Sequence, residues 1–385
     1  MAGSSTPPRQ RFSPWRIAPF LVIALSVLAT MHGAVWFRLI RGIGLGLEAD
    51  AAGALALGTG ALITVGALVS RIARVALPAW FGVVGTSWLG VVFMAFSATL
   101  VTEPLRWLLP WGGISIGPWL SISTVGGLGL TILYGIVRAQ RPTVVRVSAP
   151  VTGLHPALAG FRIVQLSDVH VDAAMATSFL DAVVARVEEL EPDMVVITGD
   201  LVDGSVEEIG HKVAILARLQ PRYGVFFVTG NHEYYSGAPD WVQFLEGLGV
   251  HVLRNAHVTI ARGEAAFTLA GVDDLFGQME PGHGMDLDQA LEGRHPDQPV
   301  VLLSHQPVTV EAASQRGVAL QLSGHTHGGQ IFPFHFLVRT QQPYLSGLVR
   351  HGNTALYVHR GTGSWGPPIR IGAPAEIALL ELTPA

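Results

Sequence analysis

His325 and His327 stand one residue apart between glycines in LSGHTHGG, directly after an apolar run. A pleated strand would aim both rings at one face, whereas a glycine-bordered loop lets two imidazoles converge on a point. One such pair is more often incidental than a ligand pair, so the rest of the chain has to supply partners. Four other stretches do. FRIVQLSDVH ends in Asp168 and His170, DMVVITGDLVDG in Gly199-Asp200, GVFFVTGNHEYY in Asn231, His232 and Glu233, and PVVLLSHQP in His305. Two carboxylates (Asp168, Asp200), one amide (Asn231) and four imidazoles (His170, His305, His325, His327) make an oxygen–nitrogen donor set without sulfur. That exceeds the needs of one tetrahedral ion and points to two ions sharing a bridging carboxylate. Mixed imidazole and carboxylate donors suit Mn, Fe or Zn better than Mg or Ca. Two such ions, about 3.5–4 Å apart, hold a phosphate between them and lower the pKa of a water to give hydroxide for in-line attack. His232 is left over, placed to protonate the leaving oxygen or to bind a phosphoryl oxygen.

The elements that must position these groups are short. From about Thr143 onward, β-branched runs alternate with helical and polar stretches, which is the pattern of an α/β domain. Each donor follows the C-terminal end of an expected strand, where open α/β sheets bind their ligands. Between the first two strands, TSFLDAVVARVEELEP reads as an amphipathic helix capped by Thr177 or Ser178 and ended by Pro192, completing a βαβ unit.

In order along residues 161–330, Asp168-x-His170, Gly199-Asp200, Gly230-Asn231-His232-Glu233, His305 and Gly324-His325-Thr326-His327 resemble the five blocks of the calcineurin-like metallophosphoesterase superfamily. DLVDG, GNHEYY, LSGHTHGGQIFP and RGTGSWGPPIR are similar to its bacterial membrane-associated branch, over most of 143–385. The resemblance implies a sandwich of two β-sheets flanked by helices. It implies one metal on Asp168, His170, Asp200 and His327, and another on Asp200, Asn231, His305 and His325. Asp200 would then bridge, and His232 would contact the phosphate. Other polar residues near these blocks have plainer expected roles: Asp203 and Glu233 as solvated or capping groups, Asp273 and Asp274 as loop residues behind a strand or supports of the site, His359 and Arg370 as loop structure or substrate contacts. The remaining histidines outside the blocks read as surface or structural. The apolar run IFPFHFLV, after the metal histidines, is expected in the core rather than as a lipid-facing ledge.

The first third of the chain is different. Residues 1–150 hold 11 arginines against Glu48, Asp50 and Glu103, net +8, while the remainder holds 13 basic and 25 acidic residues, net −12. Such asymmetry marks a domain boundary. Four apolar stretches, near 20–37, 51–69, 77–101 and 114–137, are about the length that crosses a bilayer. The expected organisation is an all-α transmembrane region over 1–142 followed by a metallophosphoesterase domain over 143–385. Trp107, Trp111 and Trp119 read as interface anchors, and His32 as a packing residue. Eight arginines (Arg9, Arg11, Arg16, Arg71, Arg74, Arg138, Arg141, Arg146) flank one side of the spans and three (Arg38, Arg41, Arg106) the other. The positive-inside rule then puts both termini and the catalytic domain in the cytoplasm.

Together these readings describe an integral membrane phosphohydrolase acting on a phosphoester or pyrophosphate, its substrate a phosphate-containing small molecule or a lipid-linked phosphate. A phosphoprotein phosphatase would share the metal shell. A membrane sensor or transporter with a regulatory phosphoesterase domain would need charged residues in mid-span, and the spans carry none. The acidic C-terminal region without basic clusters argues against nucleic acid. The absence of cysteine excludes disulfides, thiolate nucleophiles and sulfur-ligated zinc.

Overall fold

The computed structural model describes residues 14–73, 79–108 and 116–385, so Arg9, Arg11, Arg74 and Trp111 and the starts of the third and fourth expected spans (Leu77, Ile114) lie outside the described residues. The chain divides into two compact units: 1–77 with 84–130, and 78–83 with 131–385.

The first unit is helical. Helices α1 (Pro14–Val35), α2 (Leu47–Ala73), α3 (Ala79–Leu108) and α4 (Gly117–Ala139), of which α3 begins and α4 ends in the second unit, carry four segments among the described residues that are long and apolar enough to cross a membrane: Leu21–Ile43, which continues past α1, Leu47–Ser70, Trp80–Leu108 and Gly117–Ala139. Large apolar side chains such as Val22, Leu55, Leu62 and Leu130 face outward, while Met31, Val35, Leu39, Leu57, Val92 and Ala95 pack together. His32 joins two of the helices, because Trp88 Nε1–H donates to its Nε2 at 3.0 Å. Charges gather at one end, where Arg38 pairs with Glu103 at 2.6 Å and Arg106 donates to the Arg38 and Gly117 carbonyls.

The second unit is built on two six-stranded mixed sheets. The strands are β1 (Thr143–Val151), β2 (Arg162–Leu166), β3 (Met194–Thr198), β4 (Val225–Val228), β5 (His251–Val252), β6 (Ala256–Arg262), β7 (Ala265–Gly271), β8 (Val300–Leu303), β9 (Leu320–Ser323), β10 (Gly347–His351), β11 (Thr354–Val358) and β12 (Glu376–Pro384). One sheet runs β1-β12-β2-β3-β4-β5 and the other β10-β11-β9-β8-β7-β6. The β2-β3-β4 and β7-β8-β9 pairings are parallel, so the donor-bearing strand ends of each sheet emerge on one edge.

Period-two alternation sets the layers. Ile163, Met194, Val196, Phe226 and Val228 from one sheet meet Phe267, Leu269, Val301, Leu303, Leu320 and Leu322 from the other in the central core. Their strand neighbours Val164, Val195, Ile197 and Phe227 face outward, onto Leu180, Val184, Ile209, Trp241 and Leu245 of flanking helices. The helix over Thr177–Glu189 forms where expected, but neither Thr177 nor Ser178 caps it; Ala176 is the N-cap and makes no side-chain hydrogen bond. Burial of Leu180, Val183, Val184 and Val187 holds this helix without a cap.

Candidate metal centre

Six of the seven expected donors (Asp168, His170, Asp200, His305, His325, His327) come together with His232 beyond the ends of the strands of both sheets, and Asn231 directly precedes His232 in the chain. Asp168, His170 and His327 form one cluster; Asp200, His305 and His325 form another; His170, Asp200 and His232 overlap both. Within each cluster the ligand-type atoms lie within 4.8 Å of one another. His170 Nε2 and His327 Nε2 stand 3.0 Å apart, and His327 Nε2 is 3.4 Å from an Asp168 oxygen. His325 Nδ1 and His305 Nε2 stand 3.2 Å apart, and Asp200 Oδ2 is 3.2 Å from His305 Nε2 and 3.9 Å from His170 Nε2. Asp200 thus reaches both groups. Asn231 Oδ1 is buried with no hydrogen-bond partner, which a buried amide oxygen rarely tolerates unless something else fills its place. The donor chemistry, the converging ring nitrogens and this orphaned oxygen all fit divalent cations.

The rings are aimed by the groups behind them. His305 Nδ1–H donates to the Thr198 carbonyl at 2.7 Å, and His170 Nδ1–H to Asp203 at 3.1 Å. Each bond fixes the ring through Nδ1 and turns Nε2 toward the cluster, the usual device behind metal-binding imidazoles. Asp203 also accepts from His232 Nδ1–H at 2.5 Å, so one carboxylate orients both a ligand-type ring and the leftover histidine. This departs from the solvated role expected of it.

Glu233 caps its own helix through the Gly230 N–H, as expected of it, and does more. It is buried, and its carboxylate accepts from the backbone N–H groups of Asp200 (3.0 Å), Leu201 (2.7 Å) and Gly230 (2.6 Å), stitching two donor loops together. Arg370 is fully buried. It donates to the carbonyls of Gly363 and Arg360 and lies 3.2 Å from His327 Nδ1. His359 is buried as well, and Gly361 N–H donates to its Nδ1. Neither reaches outward. Asp273 pairs with Arg254, and Asp274 caps Phe276 N–H while accepting from Gln306, so both are structural.

The backbone is unusual where the chemistry is. Asp168, His170, Asp200, His325 and His327 all carry left-handed φ angles, from 51° to 70°. Non-glycine residues rarely adopt this region, and they cluster at functional sites when they do. Glycine takes a second part besides the conformational one its place beside the histidines implies. A Cβ on Gly324 would lie 1.9 Å from Ser167 Oγ and 2.3 Å from Asp168 Oδ2. Gly324 is needed for close approach, while His325 and His327 share the left-handed turn with Gly328 (φ 61°) and Gly329 (φ 80°).

Electrostatics sort the protons. Burial pushes the Asp200 carboxyl up, but His305, His232 and His170 outweigh it and hold the group well below its ordinary range. Burial lowers His232, yet Asp200 and Asp203 outweigh it and raise the ring to about 9. Burial and the His305 charge take His325 down to about 3, and burial with His170 and Arg370 takes His327 well down too. His325 and His327 are therefore neutral, the form that coordinates, whereas at His305 burial is outweighed by Asp200, which raises the ring well above its ordinary value, so that ring would give up a proton to a cation.

The model of the calcineurin-like phosphoesterase family matches residues 161–329. An uncharacterized metallophosphoesterase of Aquifex aeolicus is 32% identical over 225 residues, 57% of this chain and 84% of that protein. The chain belongs to the calcineurin-like phosphoesterase family. Another relative, a transmembrane protein with metallophosphoesterase domain from Danio rerio, is 41% identical over 263 residues, 66% of this chain and 60% of that protein. An uncharacterized metallophosphoesterase of Helicobacter pylori is 42% identical over 225 residues, 58% of this chain and 60% of the relative. The chain therefore spans about 60% of the length of the first curated relatives it matches. The family match covers all five donor blocks.

Proposed function

We propose that this chain is a membrane-anchored, binuclear metal-dependent phosphohydrolase that cleaves a phosphoester or pyrophosphate bond, with residues 1–142 as anchor and 143–385 as catalytic domain. The observation that carries the reading is the pair of donor clusters joined by Asp200. Asp168, His170, Asp200 and His327 would hold one cation, and Asp200, Asn231, His305 and His325 the other. Cations of the Mn, Fe or Zn type so held would polarise a phosphoryl oxygen and supply hydroxide near neutral pH. The chain's own contribution is orientation and proton supply. Asp203 fixes His232 through Nδ1, which leaves Nε2–H to protonate the leaving oxygen.

The rim favours a substrate with an apolar part. Tyr235 stands edge-on to His232 at 5.3 Å between ring centres, Phe276 adjoins Tyr235 at 5.7 Å, and both are exposed, as is Met279. Together with four apolar spans, this supports a lipid-linked phosphate. A panel of phosphomonoesters, phosphodiesters, pyrophosphates and a phosphopeptide, each soluble and lipid-linked, tests it. Preference for the phosphopeptide would replace this reading with a protein phosphatase.

Two further expectations belong to this reading. Metal analysis after loading with Mn or Zn is expected to find two ions per chain, and one ion or none would remove the shared-carboxylate arrangement. The arginine distribution puts the catalytic domain in the cytoplasm. A C-terminal tag should then resist protease in intact cells whose outer barrier has been opened, and cleavage there would reverse the orientation.

A further inference from the structure

The apolar run after the metal histidines is not core. Phe332, Phe336 and Leu337 are 56%, 61% and 56% exposed, and Trp365, from a second loop, is 45% exposed. They sit on two segments that are tied to each other. His335 stacks between Phe332 and Phe336, with ring centres 5.2 and 4.0 Å away. Phe332 N–H donates to the Ile371 carbonyl at 2.9 Å, and Gln330 clasps the second loop through the Trp365 and Pro367 carbonyls and Trp365 N–H. Scattered exposed apolar residues need no explanation, but a contiguous set marks a contact surface.

Two observations say what covers this one. First, within the second unit, Arg370 N–H donates to the Gly135 carbonyl at 3.0 Å. Gly135 lies four residues from the end of α4, in a segment apolar enough to cross a bilayer. The loop that carries Trp365 is therefore hydrogen-bonded to the last turns of a candidate span. Second, the charge is right for a lipid headgroup layer. Although the chain beyond residue 150 carries net −12, no carboxylate occurs between Glu311 and Glu376, while two exposed arginines, Arg339 and Arg350, do. Arg339 directly follows the first of the two segments. Aromatic and aliphatic side chains with adjacent arginine, tied to a span end, are the pattern of an interfacial membrane contact.

We infer that Phe332, Phe336, Leu337 and Trp365 insert into the interfacial layer of the bilayer that α4 spans, so that the segment leaving His327 is seated on lipid. The inference rests on the membrane anchor proposed above. The cysteine-free chain allows a single-site test on the full protein in nanodiscs of phosphatidylcholine and phosphatidylglycerol. An environment-sensitive fluorophore is attached at F332C, F336C, L62C on α2, or E264C on the exposed turn between β6 and β7, and lipids with chain-borne quenchers are added. Labels at 62, 332 and 336 should be quenched and the label at 264 should not. Quenching at 62 with none at 332 and 336 would overturn the insertion and leave the anchor intact. No quenching at 62 would overturn both. Shielding at 336 that appears only with two chains per disc would give these residues to a second copy and overturn lipid contact.

Discussion

Replacing Asp200 by asparagine is expected to empty both halves of the metal centre and to cost more activity than losing a donor confined to one half. Asp200 Oδ2 stands between His305 and His170, and Oδ1 accepts the His232 backbone N–H at 2.8 Å. The amide keeps the volume but removes the charge that two cations would share. Loss of a group that merely orients a ligand costs about 10–100-fold, so the loss here should exceed about 100-fold. His325→Ala, touching one cluster, should instead lower the content toward one ion. Metal analysis beside initial rates separates the two cases, and full occupancy with a near-normal rate in D200N would dissolve the bridge.

His232→Ala should behave in the opposite way, keeping both ions while slowing turnover. Its ring is held by Asp203 and its backbone N–H by Asp200, so the side chain is free of any assigned coordination. General acid catalysis contributes about 10²–10⁴-fold, and a loss of that order is expected with an alkoxide leaving group. A nitrophenolate leaves with little need of a proton, and the loss should shrink there. Equal losses on both substrates would make His232 a phosphoryl-oxygen binder, and a variant stripped of metal would move it into the ligand set.

The donor set was legible because each member follows a short β-branched strand, and parallel strands bring their C-terminal ends to one edge. Asp168 and His325 lie 157 positions apart, yet the backbone N–H of His325 donates to the Asp168 carboxylate. Asp203 and Glu233 were not legible in the same way. An acid in a turn reads as solvated, and its real role depends on which backbone donors another loop brings to it. The capping bond from Gly230 to Glu233 is local and readable, but the N–H groups that the Asp200 loop brings to the same carboxylate are not signalled locally. The run IFPFHFLV was misread for a related reason. Apolar character is visible in a string of residues, whereas what covers those residues is not. The helix at Thr177 was legible from its apolar spacing and from Pro192 beyond its end, whereas the cap expected at Thr177 or Ser178 does not form.

The left-handed turns at Asp168, His170, Asp200, His325 and His327 change how any substitution there should be interpreted. Aspartate and histidine enter this region more readily than most residues. Alanine does not share that tolerance, so an alanine variant would both delete a donor and load its turn with a backbone penalty of about 1–2 kcal/mol. Glycine deletes the same donor and relaxes the turn. Comparing the two replacements at one position isolates coordination from conformation, so an alanine scan alone would credit these side chains with energy that belongs to the peptide chain beneath them.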